Sequence, residues 1–141
     1  MAIYDNVFIN GNGDAIHIQP HNDIPRDMAI FSNTVLASGT GIQVRRAEGT
    51  AYRQRVIANV VAASTPVKGG EADYNLTLAY RADLLNVAPA ELTLLLLRHG
   101  QAAPRLPEEL ARELAAYPDW QRATLGARIA PAMLRTLDSP P

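Results

Sequence analysis

The chain has 141 residues, of which 48% are hydrophobic and 19% charged, and its formal net charge at pH 7 is −1. This composition indicates one folded domain, and the near-neutral charge without a basic stripe argues against a nucleic-acid partner. Because cysteine is absent, disulfides, thiolate metal sites and a cysteine nucleophile are excluded. The sequence shows no signal peptide and no apolar run near the roughly 20 residues that span a bilayer, so no membrane partner is expected.

A motif with a central asparagine occurs three times in the first half of the chain. Asn6, Asn33 and Asn59 are spaced 27 and 26 residues apart, within the segments 3–9, 30–36 and 56–62. A constant period of this length is typical of stacked repeats. We therefore predict parallel strands about 4.8 Å apart, with the three asparagines forming a ladder of side-chain amides. Apolar stacks should accompany the ladder, namely Ile3 with Ile30 and Val56, and Ile16 with Ile42 and Val67.

Each repeat has short apolar or alternating segments and no helical period, which favours three strands per repeat. In the second repeat the strands are predicted at about residues 29–31, 34–37 and 41–45. The asparagine, the apolar stacks and the Gly-Ile-x-Val type of strand at 41–44 resemble the right-handed parallel β-helix proteins of the pectate-lyase-like superfamily. The resemblance covers about residues 3–70 and implies the C-terminal portion of such a protein.

The resemblance implies an all-β fold, a right-handed parallel β-helix of about three coils with an irregular, partly helical C-terminal tail. We assign residues 1–72 to the coils and 73–141 to the tail. Met1 is followed directly by a repeat without a capping unit, so the coils are expected to be N-terminally incomplete. We expect self-association through the exposed coil edge.

The tail resembles the closing stretch of bacterial β-helix proteins, which implies a leucine-rich strand around residues 92–94. Farther on, Pro107 is followed by Glu108 and Glu109, and Leu110 and Leu114 are four residues apart. Proline and acids in a first turn, with apolar residues on one face, predict a helix near 107–116 that packs on the stack.

Alternation along the strands predicts two outward-facing columns of polar side chains. With Ile16 inside, His17 points outward, and the repeat spacing places Gln43 and Lys68 beside it. The next column contains Gln19 and Arg45. In the resembling family this strand face and its loops bind extended polysaccharides, which implies a substrate-binding set of Gln19, His21, Gln43 and Arg46.

A polysaccharide lyase needs a base and a positive charge near the uronic carboxylate. His17 or Lys68 would supply the base, and the planar fork of Arg45 would pair with the carboxylate. The predicted catalytic residues are therefore His17, Arg45 and Lys68. The alternative is that these side chains form a solvated outer face without a catalytic role, since alternation alone places polar residues there.

A metal interpretation would use the carboxylates and imidazoles of Asp14, His17, His21 and Asp23. Their spacing in a turn-rich segment does not predict that they converge, so no metal ligands are assigned. The cofactor is unknown; a divalent cation such as calcium is compatible with the resemblance, and no residue pattern supports one.

From the resemblance we expect an extracellular carbohydrate-active protein, secreted or at the cell surface when complete. Its expected activity is that of a lyase or hydrolase of acidic polysaccharide, with polysaccharide as the partner. The alternative is a non-catalytic protein used for surface adhesion, glycan binding or structural display.

Overall fold

Strands that alternate between two parallel sheets make up the first half of the chain. The structure, a computed structural model, describes residues 1–19, 27–45, 53–117, 124–131 and 133. The strands are β1 (Ala2–Tyr4), β2 (Val7–Asn10), β3 (Ile16–Ile18), β4 (Met28–Phe31), β5 (Thr34–Val44), β6 (Gln54–Ile57), β7 (Val60–Gly69), β8 (Glu71–Asp73) and β9 (Leu76–Leu78). The first sheet has the order β1-β4-β6-β8, and the second has β2-β5-β7-β9 with β3 also beside β5.

Helical segments follow the strands. A short 3-10 helix spans Ala82–Leu84, α1 spans Pro89–His99 and α2 spans Glu108–Leu114. The helix α2 lies inside the predicted range 107–116. Among the residues that the structure describes, no helix is both long and apolar enough to span a bilayer.

A left-handed residue followed by asparagine forms each corner where the chain passes from the first sheet to the second. The left-handed residues are Asp5, Ser32, Ala58 and Tyr74, with φ of 58°, 53°, 60° and 50°. A non-glycine residue in this region costs conformational energy, so the corner needs compensating bonds. The asparagine that follows each of these residues supplies them.

The asparagines stack along the sheets, each bonded to the next. The main-chain N–H groups of Asn6, Asn33 and Asn59 donate to the Oδ1 atom of the following asparagine at 3.1, 3.0 and 2.9 Å. The side-chain amides of the last three asparagines also donate to carbonyls of the neighbouring strand. The predicted ladder is confirmed, and it extends to Asn75, a fourth member that the sequence analysis did not include.

One hydrophobic core lies between the two sheets. It includes both predicted apolar stacks: Ile3 pairs with Ile30 and Ile30 with Val56, while Ile42 lies between Ile16 and Val67. The fully buried members of this core have no exposed surface because both sheets contribute side chains to it. These members are Ile30, Val35, Ala37, Ile42, Val56 and Val61.

A second core covers the opposite faces of the strands. In β5 and β7, the segments 34–37 and 60–63 are buried at every position, so both faces of the sheet are covered there. The helix α1 packs against β7 and β2, and its Thr93 Oγ1 lies 2.6 Å from Thr34 Oγ1. The Ala127 N–H donates to the same Thr34 oxygen at 2.9 Å. The helices and the tail are therefore a structural layer rather than an appendage.

The predicted fold class is wrong. The protein has a mixed α/β arrangement of two parallel sheets with helices, and not an all-β right-handed parallel β-helix. The resemblance to the pectate-lyase-like superfamily and the solenoid interpretation are corrected with it. The prediction treated one strand face as solvated, whereas continuous apolar runs such as 60–63 are typical of parallel sheets covered on both faces.

The leucine-rich segment is also corrected, because residues 92–94 lie in α1 rather than in a strand. Pro89 occupies the first turn of α1 and Glu91 adds a carboxylate there, and both features favour a helix start. The leucines that follow are unbranched at Cβ and so lose little side-chain entropy in a helix. Four of them, Leu92, Leu94, Leu96 and Leu97, are buried.

The last passage from the second sheet to the first is much shorter than the others. Asn59 and Asn75 are 16 residues apart rather than 26 or 27, and Gly70 alone separates β7 from β8. Gly69 and Gly70 have φ of 82° and 71°. A Cβ atom on Gly69 would overlap the Val44 carbonyl oxygen, so this tight connection requires glycine.

Candidate functional site

Three predicted site residues lie side by side on the second sheet. His17 of β3 pairs with Gln43 of β5, and Gln43 pairs with Lys68 of β7. We call these three residues the polar column. His17 and Lys68 are exposed and Gln43 is half-buried, while the residues on either side of Gln43 are buried in the core between the sheets. The polar column therefore faces outward.

Two further predicted residues extend this surface by one position. Gln19 and Arg45 are exposed, and the Arg45 N–H donates to the Ile18 carbonyl at 2.8 Å, which holds it beside the end of β3. Gly70 occupies the equivalent place after β7 and adds no side chain. The remaining predicted residues, His21 and Arg46, lie outside the described residues, as does Asp23.

The described part of this surface contains polar and basic groups but no catalytic pair. Asp14 is the nearby carboxylate in the sequence, and its Oδ1 accepts a hydrogen bond from the Thr40 N–H at 2.7 Å, which fixes it as part of a turn. Within residues 1–19, 27–45, 53–117, 124–131 and 133, no three His, Asp or Glu side chains converge in a way that could hold a metal ion. The metal interpretation depended on His21 and Asp23 and remains a hypothesis about residues outside this part.

A second candidate site is a cleft on the outer face of the first sheet, between that face and the end of α2. We call it the arginine cleft, and its volume is about 350 Å³. Its charged lining residues come from the position before β4, from β6 and the position before it, and from α2. The residues that line it are Asp27, Met28, Ala29, Arg53, Arg55, Ile57, Glu113, Leu114, Ala116 and Tyr117.

Ion pairs cross the arginine cleft from the sheet to the helix. Arg55 Nη2 lies 3.0 Å from Glu113 Oε2, and only 19% of the Arg55 side chain is exposed. Arg53 is held less closely, with Nε 3.6 Å from Glu71 Oε2 and Nη2 3.7 Å from Glu113 Oε1. The Arg53 side chain is 60% exposed. Arg55 therefore belongs to the wall of the cleft, whereas Arg53 is available to a ligand.

The ring of Tyr117 lines one side of the arginine cleft and packs on a stacked pair of aromatic rings behind it. The ring centroids of Tyr4 and Phe31 are 4.9 Å apart and stacked, and the Tyr117 ring lies 4.8 Å from Phe31. Burial, together with the negative charge of Glu113, raises the pKa of the Tyr117 hydroxyl above its ordinary value. Tyr117 is therefore a neutral wall of the cleft at physiological pH.

The arginine cleft was not predicted from the sequence. Arg53, Arg55 and Glu113 were not among the predicted site residues, because Glu113 is 58 residues from its partner Arg55 and no local pattern relates them. One signal was present: Arg53 and Arg55 alternate around a buried Gln54, which predicts that both arginines share the outer face of β6.

The comparisons with other proteins add no family. No protein-family model, no curated protein and no solved structure matches the chain. Any functional conclusion must therefore rest on the two surfaces described above.

Proposed function

We propose that this protein is a non-catalytic binding module that recognises an extended acidic polymer through the polar column and Arg45. The observation that carries the proposal is the register of His17, Gln43 and Lys68 on three adjacent strands. Acidic polysaccharide is the ligand class that we propose, because its repeated carboxylates and hydroxyls suit alternating basic and amide groups. A secreted or cell-surface location would be consistent with this ligand and is itself a proposal.

Strand spacing makes the surface suitable for an extended ligand. Neighbouring parallel strands are about 4.8 Å apart, so the polar column presents a polar group at each strand across three strands. Lys68 and Arg45 contribute positive charge, and neither column contains an acidic side chain among its described members. A polyanion lying across the strands would be attracted by Lys68 and Arg45 and would face no described carboxylate that repels it.

Catalysis by this surface has weaker support than binding. A lyase would require His17 or Lys68 to act as a base against a substrate held by Arg45. No described carboxylate bonds to the His17 ring to orient it, and such orientation is a usual feature of a histidine base. We therefore propose binding, and the lyase or hydrolase activity becomes an outcome of the test.

The test uses a double variant, Arg45→Ala with Lys68→Ala, and isothermal titration with polygalacturonate and alginate. Exposed charge pairs contribute modestly to affinity one at a time, but a polymer engages both, so we expect at least about tenfold weaker binding. Raising the salt concentration should weaken wild-type binding because exposed charges are screened.

The matched control is Arg112→Ala, which removes an exposed arginine paired with Glu108 on α2, away from the polar column. It should bind as the wild type does. Equal binding by the double variant and the wild type, or no binding by the wild type, would exclude this surface as a polymer site. Formation of unsaturated or shortened sugar products from either polymer would show an enzyme and overturn the non-catalytic assignment.

A further inference from the structure

The arginine cleft combines a loosely paired, exposed cation, an exposed anion and an apolar floor in a small volume. We propose that it binds a small zwitterion with an apolar side chain, of the kind represented by an apolar α-amino acid. In this assignment Arg53 binds the ligand carboxylate and Asp27 binds its ammonium group. The proposal is independent of the polar column, which lies on the other sheet.

The ion pairs between described residues of the cleft hold Arg53 only loosely and do not include Asp27. Four charged side chains line it, two arginines and two carboxylates. Arg55 and Glu113 neutralise each other at 3.0 Å. The contacts of Arg53 with Glu71 and Glu113, at 3.6 and 3.7 Å, exceed the 2.7–3.2 Å range of a good hydrogen bond. A ligand carboxylate can therefore form the short bidentate contact that Arg53 lacks.

Asp27 supplies the opposite charge. Its side chain is exposed and makes no hydrogen bond or ion pair with any other described residue. Its backbone is in the left-handed region, with φ of 41°, a conformation that aspartate adopts more readily than most residues. The carboxylate of Asp27 is thus available to an ammonium group.

The strand pairing places these two charges next to each other. The Met28 N–H donates to the Arg53 carbonyl at 3.0 Å, and Met28 pairs with Gln54 in the sheet. Residues 27 and 53 therefore lie side by side at the starts of neighbouring strands, about 4.8 Å apart along the sheet. One small molecule that carries both charges can reach both side chains.

The remaining lining determines the rest of the ligand. Ala29, Ile57 and Leu114 are almost completely buried and form an apolar floor, while the Tyr117 ring adds an aromatic wall. A volume of about 350 Å³ lies at the lower end of small-molecule sites, which run from about 300 to 1,000 Å³. A dianion such as phosphate is disfavoured because Asp27 and Glu113 would repel it. The cleft therefore suits a ligand with one apolar side chain and one zwitterionic head group.

The experiment measures binding of L-phenylalanine and L-leucine to the full chain by ligand-observed NMR and calorimetry. Three analogues remove one feature each: N-acetyl-L-phenylalanine lacks the ammonium group, L-phenylalanine ethyl ester lacks the carboxylate and glycine lacks the apolar side chain. We expect each analogue to bind at least about tenfold more weakly than phenylalanine. Benzoate binding as tightly as phenylalanine would overturn the assignment of a zwitterion.

Variants assign the two charges to their residues. Arg53→Gln should weaken phenylalanine binding about tenfold or more and remove discrimination against the ester, and Asp27→Asn should remove discrimination against the N-acetyl analogue. Arg112→Gln is the matched control and should leave binding unchanged, as should the Arg45→Ala, Lys68→Ala double variant. Circular dichroism verifies that each variant is folded. The proposal would be refuted if neither amino acid showed saturable binding. It would also be refuted if the Arg53→Gln and Asp27→Asn variants bound phenylalanine and its analogues as the wild type does.

Discussion

Replacing Asn59 with alanine should destabilise the protein far more than the same replacement of Asn6. The Asn59 side chain is fully buried and makes four hydrogen bonds. Its Oδ1 accepts from the Asn33 N–H at 3.0 Å and from the Asn33 Nδ2 at 3.1 Å. Its Nδ2 donates to the Ile30 carbonyl and to Asn75 Oδ1, both at 3.0 Å.

A buried hydrogen bond contributes about 1 kcal/mol net, and a buried partner left unpaired costs more. Asn59→Ala should therefore lower the free energy of unfolding by about 4 kcal/mol. A domain of this kind has a total stability of about 5–15 kcal/mol, so the loss is a large part of it. Asn6 is exposed, and among the described residues its side chain donates to the Tyr4 carbonyl at 2.8 Å and to Asn33 Oδ1 at 3.3 Å. Asn6→Ala should cost less than about 1 kcal/mol.

Urea unfolding followed by far-ultraviolet circular dichroism measures both variants against the wild type. The comparison requires equal m-values, because a changed m-value would indicate a changed unfolded or native state. If Asn59→Ala loses less than about 1.5 kcal/mol, or no more than Asn6→Ala, then the ladder does not hold the corners together as argued above.

Three further predictions concern the second core, Tyr117 and the outer edges of β1 and β2. Thr34→Val keeps the shape of the buried residue but loses its two hydrogen bonds to α1 and the tail, so it should lower the free energy of urea unfolding by about 1–3 kcal/mol. The control Thr77→Val changes an exposed side chain and should leave the stability unchanged. Equal losses in the two variants would show that the Thr34 hydrogen bonds do not stabilise the fold. Because the pKa of Tyr117 is raised on folding, the tyrosine of the unfolded state ionises first as pH rises. The wild type should therefore lose stability above pH about 10 relative to Tyr117→Phe. Parallel plots of unfolding free energy against pH for the two proteins would refute the pKa shift. The outer edges of β1 and β2 pair with no other described strand, so we propose that the chain self-associates through these edges as its concentration rises. Sedimentation velocity should show this association, and Ala2→Lys should suppress it. A wild-type chain that stays monomeric at every concentration would contradict the proposal.

The sequence predicted the strand register well because one residue type marked it. The asparagines recur at nearly constant spacing, and alternation on either side then places Ile30 inward and Gln43 outward. The same alternation predicts that the residues of the polar column lie side by side. Its role in binding stays a prediction.

The fold class was missed for an identifiable physical reason. Burial of Val60, Val61, Ala62 and Ala63 in succession leaves no polar face, and such a run requires a covering layer on both sides. The segment 92–97 is the layer that covers one side, but a short continuous apolar run cannot be assigned to a strand or a helix by periodicity alone. Pro89 and the 11-residue length of α1 both favour a helix over a strand for this segment.

The arginine cleft could not be predicted from local sequence patterns, for a different reason. It depends on where α2 docks, and that is set by packing of Leu114 and Tyr117 against the first sheet. Alternation identifies the shared face of Arg53 and Arg55 but not the carboxylate that faces them.

The short link through Gly69 and Gly70 shows that the distance between sheets can be crossed without the longer peptides found earlier in the chain. Strand register is set by the asparagine corners, so the length of a connection between the sheets can change while the strands keep their pairing. The starts of β4, β6 and β8 lie side by side on one platform, where peptides of different lengths could be displayed.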